Sequence, residues 1–242
     1  MARNEGRNGL INARGKNVDK FAGGGGYVGW DECWGQEIIE RAILPRTRQG
    51  DLVADLGCGY GRASMPFAMR GIKVIAIDLN LSCLEEGDNM RKKAGARKVR
   101  NVAVDIRAIS KKELKGGVNI IIASDAINHL YKGEADCLLD ELPNLLNSRQ
   151  GGLVYIDAPS TESFIFREPE WHGARRADRR TLIVECDCSG ELKEEPLPFY
   201  APGELQARLA RRGGVILATN DITRGQDSVL HEVVAMFKPK NS

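Results

Sequence analysis

Residues 55–62 have the sequence DLGCGYGR, which places three glycines within five positions, directly after the apolar residues LVA and before a segment of helical spacing. Glycine has no Cβ and tolerates a positive φ, so such a loop can turn sharply and bring its backbone amides close to a bulky ligand. In an open α/β sheet, the loop after the first strand passes under a ligand bound at the carboxyl ends of the strands. The stretch therefore predicts a ligand-binding loop between a strand and a helix.

Apolar strands and helices alternate around this loop. Five strands are predicted, in DLVADLG, KVIAID, NVAVD, VNIIIASD and GGLVYIDAP, and helices are predicted in RASMPFAMRG, LSCLEEGDNMRKKAG and CLLDELPNLLN. Strands that are apolar on both faces and separated by helices form parallel βαβ units in a sheet covered on both sides. Near the end of the chain, VILATND and VLHEVVAMFKP are joined by a short turn. They predict an antiparallel pair at the edge of the sheet of an α/β fold.

The chain is predicted to consist of a flexible N-terminal arm, 1–30, and one domain, 31–242. Four consecutive glycines at 23–26 in the arm cost too much backbone entropy to be fixed in a regular element. The domain is predicted to begin with a helix in DECWGQEIIERAILP. It is also predicted to carry a polar insertion at about 160–198, which contains REPEWHGARRADRR and should lie above the carboxyl edge of the sheet.

The composition argues against several classes of protein. The 242 residues are 42% apolar and 28% charged, and the formal net charge of +2 is far from that of a strongly basic nucleic-acid-binding domain. No apolar run approaches the roughly 20 residues of a membrane helix, and the N-terminus lacks the apolar region of a signal peptide. We expect a cytoplasmic protein with no membrane partner. The six cysteines are scattered, and the one close pair, Cys186 and Cys188, has no second pair to complete a zinc site, so we expect reduced thiols and no metal.

Acidic residues end three of the predicted strands. Asp55 lies two residues before Gly57, where its charge would repel a phosphate, and the loop also departs from the G-x-G-x-x-G pattern of dinucleotide sites. An acid there suits a ligand that carries an ammonium group. Asp78 ends the second strand, a position from which a carboxylate can accept both hydroxyls of a ribose. Asp105 ends the third strand, where the edge of an adenine would reach. These acids favour a nucleoside ligand without a diphosphate.

The same residues carry a family resemblance. The segment VADLGCGYGRASMPFAMRGIKVIAIDLN resembles motif I and the following acidic strand end of the class I S-adenosylmethionine-dependent methyltransferases. NVAVDI resembles the strand end that contacts the adenine in this family, and VNIIIASDAINHL resembles its fourth strand and the helix after it. The resemblance implies a Rossmann-like, doubly wound, mostly parallel seven-stranded sheet with an antiparallel last strand. It also implies S-adenosyl-L-methionine as cofactor. The residues that it assigns to the cofactor are Asp55, Gly57 and Gly59 around the methionine part, Asp78 at the ribose, and Leu79, Asp105 and Ile106 at the adenine. Cys58, inside the loop, and Ser124, after the fourth strand, are further predicted cofactor-binding residues.

Further residues are candidates for contact with the methyl group or its acceptor. Tyr27 and Trp30 lie on a glycine hinge and could close over the cofactor, because aromatic faces suit a sulfonium cation, although Trp30 could equally pack the first helix onto the core. His129 is a candidate base that could instead serve local packing, and His172 is a second candidate. The predicted substrate residues are Tyr27, Asp125, His129, Trp171, Arg175 and Tyr200.

The function predicted from the resemblance is transfer of a methyl group to an oxygen or nitrogen atom of a small molecule by in-line displacement. A sulfonium methyl is already activated, so positioning, which can supply up to about 7–11 kcal/mol, outweighs a general base, which adds about 10²–10⁴-fold. The basic residues of the insertion, Arg175, Arg176, Arg179 and Arg180, leave open an RNA or RNA-cap methyltransferase. A non-catalytic, cofactor-binding activator subunit is the third alternative, and the sequence leaves the acceptor and the oligomeric state open.

Overall fold

The computed structural model describes residues 36–188, 191–224 and 228–240. The predicted arm at 1–30, which contains Tyr27 and Trp30, lies outside the described residues, as do the side chains of Trp171 and His172.

Ten strands are present in the described part of the chain. They are β1 (Leu52–Leu56), β2 (Lys73–Asp78), β3 (Val99–Ala103), β4 (Ile120–Ala123), β5 (Gly152–Pro159), β6 (Arg175–Arg176), β7 (Thr181–Cys188), β8 (Glu191–Pro198), β9 (Gly214–Arg224) and β10 (Ser228–Phe237). Seven of them form one sheet in the order β3-β2-β1-β4-β5-β10-β9. Strands β1 to β5 pair in parallel, whereas β10 is antiparallel to both β5 and β9. The predicted doubly wound, mostly parallel seven-stranded sheet with an antiparallel last strand is confirmed.

Helices cover both faces of this sheet. They are α1 (Gln36–Ile38, continued by Ile39–Ile43 and Leu44–Arg46), α2 (Met65–Met69), α3 (Leu81–Lys93), α4 (Lys132–Leu145), α5 (Phe164–Arg167) and α6 (Glu204–Arg211). Successive strand side chains point to opposite faces, and both sets are buried: Ala54 packs in one apolar cluster with α4 and α6, and Val53 packs in another with α1 and α2. No helix in the described residues is long and apolar enough to cross a membrane.

The helix after the glycine loop is shorter than the sequence suggests. The segment RASMPFAMRG, 62–71, contains only the five helical residues of α2, because the turns of the loop continue as far as Ser64 and Pro66 lies in the first turn of the helix. By contrast, α3 has a clear start, since the Asn80 side chain accepts hydrogen bonds from the backbone amides of Ser82 and Cys83.

A second, three-stranded sheet, β6-β7-β8, lies in the chain between β5 and α6. Its strands pair antiparallel and have their own apolar cluster, formed by Ile165, Ala174, Leu182, Val184, Leu197 and Phe199. Strand β8 packs against the turn Ile127–His129 that follows β4. The small sheet therefore contacts the carboxyl edge of the large one.

Candidate ligand site at the carboxyl edge of the sheet

The glycine loop after β1 has the left-handed backbone that its composition suggests. Gly57, Gly59 and Gly61 have φ values of 63°, 51° and 77°, a region that residues with a Cβ rarely adopt. The amide of Cys58 donates to the carbonyl of Ile77 at 2.9 Å, and the amide of Gly61 donates to the carbonyl of Cys58 at 2.7 Å. These bonds fold the loop tightly and attach it to β2.

The three glycines differ in what surrounds them. A Cβ on Gly57 would come within 2.9 Å of the Ala126 Cβ, and one on Gly61 would come within 2.6 Å of the Arg91 Nη1. A Cβ on Gly59 would meet no heavy atom within 4 Å. At Gly57 and Gly61, the packed protein atoms therefore leave no room for a side chain, whereas Gly59 borders open space.

Asp78 holds the loop in place. Its Oδ2 accepts a hydrogen bond from the Gly59 amide at 2.7 Å, and its Oδ1 accepts one from the Asn80 amide at 2.8 Å. An ionised carboxylate can accept about four hydrogen bonds, so lone pairs remain for a ligand. The sequence predicted that Asp78 binds a ribose, but it did not predict the hydrogen bonds by which Asp78 holds the loop.

Asp55 lies buried at the end of β1. Burial raises the pKa of its carboxyl group to about 7, which hydrogen bonds from Ser64 partly oppose. Its Oδ2 has no hydrogen-bond partner among the described residues. A buried acceptor without a donor costs free energy, so this oxygen is a candidate to receive a donor from a bound ligand.

Arg91, near the end of α3, supports the loop from within the protein. Its side chain is buried, its Nη2 donates to the Asn101 Oδ1 at 2.6 Å, and its Nη1 lies 3.5 Å from the carbonyl oxygen of Tyr60. Burial lowers the pKa of its guanidinium. Sequence reasoning missed Arg91, since it stands in the basic run MRKK that indicates an exposed helix end.

The predicted adenine residues lie after β2 and β3. Leu79 is 68% exposed, so its surface is available to a flat apolar ligand. Ile106 packs partly against the core. The guanidinium of Arg107 donates hydrogen bonds to the Asp105 carboxylate, and these bonds lower the pKa of Asp105. An adenine amino group would have to share that carboxylate with Arg107.

The loop after β4 is held by the buried carboxylate of Asp157 on β5. Asp157 accepts hydrogen bonds from the Ser124 hydroxyl at 3.0 Å and the Asp125 amide at 2.7 Å. This fixes Asp125 at a φ of 54°, which is rare outside glycine. Burial, followed by the nearby Asp125 charge, raises the pKa of Asp157 to about 7. The Tyr155 hydroxyl lies 2.8 Å from Asp157 and 3.1 Å from Glu232.

The candidate base and acceptor residues are only partly brought together. His129 ends the turn after β4, is 50% exposed at its side chain, and lies with its Nδ1 2.9 Å from Oε2 of Glu195 on β8. Tyr200 is instead buried, and its hydroxyl donates to Asp136 of α4 at 3.1 Å. Arg175 is exposed and forms an ion pair with Glu194 at 2.6 Å. The backbone of Trp171 and His172 forms part of a turn at Pro169–His172.

The surroundings of Cys58 indicate a packing role inside the loop. Burial raises the pKa of its thiol well above the usual value, which disfavours a thiolate nucleophile. In the described part of the chain, no group of three or more His, Cys, Asp or Glu side chains is arranged to hold a metal ion.

Part of the chain matches a known protein family. A family model described as a methyltransferase domain matches residues 53–151, which include the glycine loop, Asp78, Asp105 and the turn that ends at His129. The segment that holds the candidate ligand site is therefore similar to a methyltransferase domain. No curated protein matches the sequence.

Over nearly its whole length, this chain resembles solved structures of methyltransferases. A methyltransferase from Clostridium acetobutylicum is 17% identical, with a TM-score of 0.63, and the match covers 95% of this chain and 99% of that one. Magnesium protoporphyrin IX methyltransferase from Synechocystis, with bound S-adenosylhomocysteine, is 16% identical, with a TM-score of 0.63 and coverage of 95% and 96%. Burkholderia thailandensis 1,6-didemethyltoxoflavin-N1-methyltransferase is 15% identical, with a TM-score of 0.60 and coverage of 95% and 88%. The TM-scores show a shared fold, and at identities of 15–17% they show the fold alone.

Proposed function

We propose that this chain transfers a methyl group from S-adenosyl-L-methionine to an oxygen or nitrogen atom of a small-molecule acceptor. The observation that carries the proposal is the asymmetry of the glycine loop. Gly57 and Gly61 are closed in by protein atoms, whereas Gly59, bound to Asp78, faces open space. Gly59 differs from other glycines that border open space, because its amide is held by Asp78 at the carboxyl edge of the sheet, so we assign the space beside it to the cofactor.

The residues around the loop fit this cofactor. Asp78 keeps lone pairs for the ribose hydroxyls, Leu79 offers exposed apolar surface to one face of the adenine, and the unpartnered Oδ2 of Asp55 suits an ammonium group. When bound, the cofactor supplies a methyl group that is already activated on a sulfonium sulfur. The task of the protein is then to align the acceptor and exclude water. Tyr27 and Trp30 remain predictions for the cover of the site.

The charges of the insertion support a small acceptor over RNA. Arg175 is paired with Glu194, Arg180 lies 3.5 Å from Glu204, and Arg176 stacks over the ring of Phe166. Two of the four arginines, Arg175 and Arg180, thus lie beside carboxylates, and basic side chains that are paired in this way gain less free energy from a phosphate backbone. The names of two structural neighbours also give small molecules, 1,6-didemethyltoxoflavin and magnesium protoporphyrin IX. We retain Asp125 and His129 as candidates for contact with the acceptor.

Isothermal titration with S-adenosylhomocysteine tests the cofactor site, and a methyl-transfer screen over small hydroxyl and amine compounds and over RNA tests the acceptor. We expect binding in the micromolar range and transfer to a small molecule. Failure of the folded protein to bind S-adenosylhomocysteine would overturn the proposal. Transfer to RNA that falls steeply with salt would favour the RNA alternative. Binding without transfer to any compound would favour an activator subunit.

A further inference from the structure

We infer that Glu195 is a positioning residue for methyl transfer, which holds His129 with its Nε2 available to remove a proton from the acceptor. The inference rests on the proposed function. The Oε2 of Glu195 lies 2.9 Å from the Nδ1 of His129. An ionised carboxylate can only accept hydrogen bonds, so in a neutral imidazole the proton of this bond sits on Nδ1 and the lone pair sits on Nε2.

The position of His129 in the fold connects it to the proposed cofactor site. The turn Ile127–His129 follows β4 at the carboxyl edge of the sheet. It begins directly after Ala126, whose Cβ limits the space beside Gly57 in the glycine loop. Ile127 and Asn128 are buried, whereas the side chain of His129 is half-exposed. Ala126, the residue before the turn, therefore lies against the loop, and the turn presents His129 toward solvent at the same edge.

Glu195 reaches this edge because of the small sheet. It lies on β8 opposite Val184 of β7, and β8 packs against the turn that contains His129. The side chain of Glu195 is 25% exposed, so the pair is partly screened from water. The strands β6 to β8 form no part of the seven-stranded sheet. The small sheet thus adds the Glu195 carboxylate to the site, which the seven-stranded sheet does not supply.

Other charged groups on the elements around His129 have different partners. Glu194, next to Glu195 on β8, pairs with Arg175 of β6 at 2.6 Å. Asp157 of β5 is occupied by the Asp125 amide and the Ser124 hydroxyl, and Asp125 accepts a hydrogen bond from the Asn128 side chain. Among the described residues, Glu195 is therefore the carboxylate that is paired with the imidazole.

The chemical step is a proton removal coupled to methyl transfer. The bond between the acceptor atom and the methyl carbon forms while the carbon–sulfur bond breaks, and the electron pair of that bond stays on sulfur. The acceptor loses its proton to Nε2 of His129, and the imidazolium is stabilised by Glu195 until it releases the proton to water. The inference thereby narrows the acceptor to a compound with an O–H or N–H bond that must break.

The tautomer of His129 provides a test that does not depend on activity. The chain has three histidines, so selective ¹⁵N-histidine labelling gives few signals, and loss of one signal in His129→Asn assigns it. We expect the Nδ1–H tautomer in the wild-type protein and a shift toward Nε2–H in Glu195→Ala. Glu194→Ala is the matched control, because it removes the neighbouring carboxylate of the same strand and should leave the tautomer unchanged.

Kinetics with the acceptor from the screen complete the test. His129→Asn should lower kcat by about 10²-fold or more, and Glu195→Ala by about 10-fold or more, with little change in KM. The acid limb of the pH–rate profile should disappear in His129→Asn. An unchanged tautomer in Glu195→Ala, or full kcat in either variant, would overturn the inference. Failure of the wild-type protein to bind S-adenosylhomocysteine would instead overturn the proposed function, and with it this role of the pair.

Discussion

Replacement of Gly59 by alanine should separate ligand binding from folding. The new Cβ would meet no protein atom within 4 Å, so the cost to the folded chain comes from the φ of 51° alone. That cost is roughly 1–2 kcal/mol for a residue with a Cβ in the left-handed region. A ligand that packs against Gly59 would meet the Cβ directly. Overpacking of a tight contact costs about 1–3 kcal/mol, which corresponds to about a 5- to 150-fold rise in Kd.

Gly95→Ala is the matched control for backbone strain. Gly95 has a φ of 76° and also has no heavy atom within 4 Å of the position of a Cβ, but it follows α3 and lies outside the glycine loop. Urea denaturation should therefore show a similar loss of stability in both variants. Isothermal titration with S-adenosylhomocysteine should show weaker binding in Gly59→Ala and wild-type binding in Gly95→Ala.

The two measurements together can refute the reasoning. Wild-type affinity in a folded Gly59→Ala protein would mean that the open space beside Gly59 does not receive the cofactor. Equal loss of affinity in Gly95→Ala would mean that strain, and not contact with the ligand, weakens binding.

Three further substitutions test other parts of the site. Gly57→Ala should lose about 1–3 kcal/mol more stability in urea than Gly59→Ala, because its Cβ would lie 2.9 Å from that of Ala126; equal losses would contradict this packing. Asp78→Ala should weaken S-adenosylhomocysteine binding by roughly 1–3 kcal/mol in calorimetry, through lost hydrogen bonds to the ribose and a looser loop, and unchanged affinity would exclude that role. Burial raises the pKa of Asp157 in the folded chain to about 7, above the ordinary value of 3.8, so the folded state holds a proton that the unfolded chain releases. The stability of the wild-type protein relative to Asp157→Asn should thus fall by about 1.4 kcal/mol per pH unit as pH rises from about 4 to about 7, and a constant difference would refute the raised pKa.

Sequence reasoning predicted the architecture well because its signals are local. Runs such as KVIAID and VNIIIASD are apolar at successive positions, which a strand can satisfy only when both faces of its sheet are covered. The glycine loop and the acid at the end of β2 were likewise visible, since backbone freedom and strand ends are properties of short segments. The length of α2 was overestimated, because the turns of the loop extend to Ser64 and helical spacing does not reveal them.

By itself, the sequence determined the order of the elements, the class of fold, and the candidate strand ends at which a nucleoside cofactor would bind. Only the tertiary structure decided how side chains far apart in the chain pair at that edge. Which glycine faces open space depends on Ala126 and Arg91, and the partner of His129 comes from β8, 66 residues later. The Arg175 charge, which on the sequence suggested RNA, is neutralised by Glu194 across the small sheet. Such contacts depend on strand register and on packing between elements, which local propensity and hydrophobic pattern do not encode.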